Sequence, residues 1–169
     1  MTLEELGSLL IRISVAWLFL TGFWFDVRGF KSTEKETGLV FKWHTDFFAT
    51  AGMVMMGVGA VSILFGIFPR LGALALVIFL VPASVIHFRS RDAAADLKQK
   101  ILDHGAGDGP SKDDIDALGA LGFVGHFSSG LKNLALIGPT LYLVLAGGKF
   151  PMLIGLSADG TLRGLLVGN

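Results

Sequence analysis

Four long apolar runs separated by more polar connections of unequal length set the pattern of this chain: Leu6–Phe25, Phe47–Phe68, Leu71–Phe88 and Phe127–Ala146. An α-helix rises about 1.5 Å per residue and the hydrocarbon core of a bilayer is about 30 Å thick, so about 20 apolar residues span it. Each run has about that length and almost no charge. The pattern predicts an all-α membrane protein: a four-transmembrane-helix antiparallel bundle forming a single membrane domain over residues 1–169.

The polar breaks refine the picture. Gly66-Ile67-Phe68-Pro69-Arg70 is a tight link in which proline stops one helix and lets the next begin. Pro82 falls late in the third run and Pro139 near the middle of the fourth, each removing a backbone donor. The third connection, residues 89–126, is the largest extramembrane piece. It predicts a short helix over Asp92–Leu102, a break over Gly105–Pro110, and a second short helix opened by Ser111 with Asp114 three residues on. Gly52, Gly59 and Gly66 recur every seven residues, a stripe that suits close helix packing in lipid.

Composition agrees with a membrane domain: 169 residues, 17% charged, mean hydropathy +0.65. Fourteen basic residues balance fourteen acidic ones with no basic run, so nucleic-acid binding is not expected. The absence of cysteine removes thiol catalysis and thiolate metal sites. Glu4 and Glu5 precede the first run where a signal peptide would be basic, so that run is expected to remain as an anchor. Arg28, Lys31, Lys35 and Lys42 lie in the first connection and Arg89, Arg91, Lys98, Lys100 and Lys112 in the third, against Arg70, Lys149 and Arg163 on the other face. The positive-inside rule then places residues 26–46 and 89–126 in the cytoplasm and both termini outside.

Any chemistry must come from the few polar groups on these helices. Arg12 lies about two turns into the first run, at the depth of Ser62 and Tyr142. Its long stem allows three roles: reaching the headgroups, pairing inside the bundle, or binding an anionic or carbonyl-bearing ligand. Trp24, Asp26, His44, His87, His126, Lys132 and Asn133 gather by depth near the cytoplasmic interface. Such a set suits a quinone head group, with imidazole or ammonium donating to its oxygens and histidine relaying a proton. Histidine, tryptophan and lysine are also common at membrane interfaces for their amphipathic shape alone. No HExxH, HxH or carboxylate cluster at ligand spacing occurs, so neither metal nor haem is expected.

The chain resembles the DoxX family of small four-helix membrane proteins. The resemblance rests on Leu10-Ile-Arg12 with the apolar run to Gly22, on Phe30-Lys31, and on Gly66-x-x-Pro-Arg70-x-Gly72-Ala73. Pro82-Ala83-Ser84 with His87 and Lys132-Asn133-Leu-Ala-Leu-Ile-Gly138 complete it. Thr21 departs from the family pattern, since many members have histidine there. The resemblance implies a bacterial or archaeal cytoplasmic membrane and a quinone-linked or redox-associated subunit of a respiratory-type system. Some relatives are subunits of thiosulfate:quinone oxidoreductase or of terminal oxidase systems. It marks Arg12, Lys31, Arg70, His87, Lys132 and Asn133 as positions to follow.

Two functions are carried forward. In the first, quinone is bound by Arg12, Trp24, His87, His126, Lys132, Asn133 and Tyr142 or a subset of them, and electrons come from a partner or a small donor, because no flavin or haem motif is visible. In the second, the chain is a non-catalytic structural or assembly subunit. A transporter is disfavoured by the lack of inverted repeats. The expected partners are the lipid bilayer and other membrane subunits or further copies of this chain.

Overall fold

A computed structural model describes residues 3–103 and 111–146. The expected break at Gly105–Pro110, and the residues from 147 onward, lie outside the described part. The described residues form five helices and no strand: α1 (Leu3–Arg28), α2 (Phe30–Thr37), α3 (Thr45–Phe65), α4 (Pro69–Asp103) and α5 (Lys112–Ala146). Packing follows chain order, α1 on α3, α3 on α4 and α4 on α5, with only a short α1–α5 contact.

Among the described residues, three helices are long and apolar enough to cross a membrane: Glu5–Arg28, Thr45–Phe65 and Pro69–Asp103, with mean hydropathies of 1.7, 1.9 and 2.3. Only 28–33% of each apolar window is buried inside the protein. Trp17, Val58 and Ile78 point outward, Trp17 being 71% exposed. A bundle apolar on its outside as well as its inside is built for lipid. The core between the helices is narrow: Val15, Ala16 and Phe19 of α1 meet Met56, Ala60 and Ile63 of α3, Ala73, Leu76 and Leu80 of α4, and Leu143 of α5.

Two expectations need correction. The third connection is not a loop carrying a separate helix, because α4 continues unbroken through Asp103 and α5 begins at Lys112. The strong helix formers Ala93–Ala95, Leu97, Lys98 and Gln99 carry the backbone ladder past the apolar run. The fourth apolar run is accordingly the second half of a 35-residue helix. The first connection also holds a helix, α2, which packs mainly on α3.

Local chemistry accounts for the ends. At the start of α5, Ser111 Oγ accepts the Asp114 N–H at 3.2 Å while the Ser111 N–H donates to Asp114 Oδ2 at 3.2 Å. This is the reciprocal cap anticipated for that pair. Neither proline breaks its helix, and hydroxyls close by bond the backbone one turn earlier: Ser84 Oγ to the Leu80 carbonyl at 2.8 Å, Thr140 Oγ1 to the Leu136 carbonyl at 2.7 Å.

The glycine stripe divides into three jobs. A Cβ on Gly59 would come within 2.8 Å of Leu76 and 2.9 Å of the Gly72 carbonyl, so α3 and α4 cross there at backbone contact. Gly52 faces the Phe79 ring at ordinary contact distance. Gly66 does not pack a helix; it ends one. Its φ of 76° is left-handed, and the Ser62 carbonyl accepts the N–H groups of both Gly66 and Ile67 at 3.0 Å.

Candidate functional site

Arg12 is buried at the end of the bundle formed by the α3–α4 turn, with 1% of its surface exposed. The last four carbonyls of a helix have no partner within it. Arg12 Nε donates to the Ile63 carbonyl at 2.7 Å and Nη2 to the Leu64 carbonyl at 3.1 Å. Its charge therefore lies against the negative end of the α3 dipole. Of its three possible roles, the geometry is that of pairing within the bundle. Ser62 supports the same turn, its Oγ donating to the carbonyls of Ile67 and of Phe68. Phe68 takes a left-handed φ of 50° before Pro69, a strained conformation fixed by these contacts. Tyr142, 39% exposed, is about 24 Å along α5 from His126 by helix rise. Arg12 and Tyr142 thus belong to one end of the bundle and His87 and His126 to the other.

At the opposite end, α1, α2, α4 and α5 bring polar groups together. His87 of α4 and His126 of α5 face one another with ring centroids 5.8 Å apart. Glu36 of α2 approaches both, so that one donor atom from each of the three lies within 4.8 Å of the others. Asp26, near the end of α1, accepts a hydrogen bond from Thr33 Oγ1 at 3.4 Å. Lys132 is within electrostatic reach of both Asp26 and His87. Asn133 is buried, whereas Lys132 is exposed. Trp24 points outward under the Arg28 guanidinium, 4.1 Å from its ring centroid, and His44 is exposed.

A cavity of about 130 Å³ adjoins this cluster. Asp26, Thr33, Glu36 and His87 supply its polar wall, and Phe41, Phe48 and Phe79 its aromatic one. Phe41 and Phe48 stack at 4.1 Å. His87 Nδ1 is buried with no hydrogen-bond partner among the described residues. A buried polar atom without a partner carries a desolvation cost, which a bound ligand can relieve.

Sequence reasoning gathered His87, His126 and Lys132 by depth but missed Glu36, Thr33 and the three phenylalanines. Thr33 and Glu36 are three apart and share a helix face, a signal legible only once α2 is known to be a helix. Outside the membrane-crossing runs, Arg91 sits 5.5–5.8 Å from the ring centres of Phe88, Phe123 and Phe127, and Lys98 Nζ pairs with Asp116 at 2.9 Å. Both clamp α4 to α5. The hydrogen bond from Lys98 holds the Asp116 carboxyl below the usual carboxylate range.

No curated protein and no solved structure matches the chain. The sequence model of the DoxX family matches residues 7–89, from the start of α1 to beyond His87 in α4. The Lys132–Gly138 stretch of α5 lies beyond the match. Residues 7–89 of this chain thus carry a DoxX-family domain match.

Proposed function

We propose that the chain is a quinone-linked, redox-associated subunit of a respiratory-type membrane system, with the quinone head group held in the cavity beside His87. In this reading residues 127–146 of α5 form a fourth span, and residues 26–46 and 89–126 face the cytoplasm of a bacterium or archaeon. The observation that carries the proposal is a cavity with aromatic sides and a polar wall of Asp26, Thr33, Glu36 and His87, the last a residue whose Nδ1 is buried with no hydrogen-bond partner among the described residues.

The residues present suit such a group. Phe41, Phe48 and Phe79 offer ring faces to a flat head group, and the cavity lies at the membrane end of α1, where an isoprenoid tail can remain in lipid. His87 donates to a quinone oxygen, and Lys132 adds positive potential where negative charge develops on reduction. A bound quinone supplies two-electron, two-proton chemistry. Asp26, Glu36 and His126 form a line of groups able to pass protons to His87 from the bundle end. Electrons come from a partner subunit or a small donor.

Replacing His87 by alanine tests this. The variant should keep its helical circular dichroism and bind a short-tailed ubiquinone analogue about tenfold more weakly, the loss expected for one buried hydrogen bond. Unchanged affinity overturns the proposal.

A second reading, a structural or assembly subunit, draws on the α4–α5 extension, where Leu97, Leu118 and Leu121 are exposed beyond the apolar runs. Leu97→Ser with Leu118→Ser should then release co-purifying subunits without altering quinone binding. Retention of those subunits removes this reading.

A further inference from the structure

We propose that Glu36, His87 and His126 form a binding site for a divalent first-row transition metal such as Zn²⁺ or Fe²⁺. Three helices distant in sequence, α2, α4 and α5, each deliver one ligating group, and the three donor atoms lie within 4.8 Å of one another. Metal–nitrogen and metal–oxygen bonds of about 2.0–2.2 Å place tetrahedral ligands about 3.3 Å apart. Side-chain rotation of about an ångström closes that gap, and all three groups are half-buried, leaving them room to turn.

The donor set selects the class of ion. Two imidazoles and one carboxylate suit zinc or ferrous iron, and leave a coordination position open to water or a ligand. With no cysteine in the chain, soft thiolate-preferring ions have no competing site here. Charge is favourable as well. Asp26 and Glu36 bring two carboxylates to the cluster, with the Lys132 ammonium within electrostatic reach. The expectation of no metal rested on local motifs, which cannot reveal ligands drawn from three helices.

The proposal stands whether or not a quinone enters the neighbouring cavity, and its test uses metal alone. The full chain, carrying an affinity tag without histidines, is extracted in detergent, stripped with EDTA and titrated with Co²⁺. Visible d–d absorption and elemental analysis then report coordination and stoichiometry. One Co²⁺ per chain, displaced by Zn²⁺, is expected. His126→Ala should weaken binding at least tenfold, about the lower bound set by losing even an outer-shell partner. Glu36→Gln, which keeps the side-chain volume, should do the same with unchanged helical circular dichroism, while His44→Ala should bind as the parent does. Failure to retain one equivalent, or parental affinity in the Glu36→Gln protein, overturns the site.

Discussion

Arg12 and His87 are both polar residues on apolar helices, and their surroundings separate them. Arg12 has its hydrogen bonds to the Ile63 and Leu64 carbonyls and is fully enclosed, so it serves the end of α3. Arg12→Ala would leave those carbonyls buried without these donors and should cost about 3 kcal/mol, since each bond to a charged group contributes about 1.5–3 kcal/mol. Thermal unfolding in detergent measures it, with Ser14→Ala, exposed on the same helix, as a nearly neutral control. Arg12→Lys should recover only part of the loss, because an ammonium cannot reproduce the planar fork. Quinone affinity should be untouched in both. A larger effect on quinone affinity than on stability would instead return Arg12 to a ligand role.

Among the elements, α3 and α4 cross at backbone contact. Gly59→Ala puts a methyl group into Leu76 and the Gly72 carbonyl and should destabilise by about 1–3 kcal/mol through overpacking. Gly52→Ala meets only the edge of Phe79 and should change stability by less than about 0.5 kcal/mol. Equal costs at the two positions would contradict the crossing geometry. The α4–α5 extension brings acid sensitivity. Because the folded pKa of Asp116 is depressed, its contribution is complete above the unfolded carboxylate value of about 3.9 and is lost as pH falls through the lower folded value. The drop in melting temperature between pH 7 and pH 3 should therefore be smaller in Asp116→Asn than in the parent; an equal drop would show that the Lys98 contact does not contribute.

These elements also show how far sequence reasoning reaches. Apolar run length revealed the long helices, and the Ser111–Asp114 spacing revealed a cap, because both signals are local. The helix over Asp92–Leu102 was legible in its helix formers, but its continuity with the third run was hidden because the polar residues after Phe88 ended the apolar run without ending the helix. The helix α2, polar over most of its eight residues, carries no apolar run to announce it. With α2 unseen, Glu36 had no position, and its approach to His87 and His126 depends on three helices meeting, which no spacing encodes.

At the scale of the whole molecule, the bundle has two polar ends and an apolar flank. The α3–α4 turn end is closed by Arg12, while the other end holds the cavity and the cluster of acids and histidines. The flank carries a wide, almost wholly apolar groove of about 490 Å³, lined by Leu20, Phe23, Val58, Val61 and Phe68, which is a natural seat for a lipid chain. In the proposed function a quinone head enters the polar end and not this groove. Photoaffinity labelling with an azido-quinone, followed by peptide mapping, decides between them most directly. Saturable labelling, competed by unmodified quinone, is expected on peptides spanning Asp26–Phe48 and Phe79–His87. Labelling confined to the groove residues, or labelling that unmodified quinone does not compete, would contradict it.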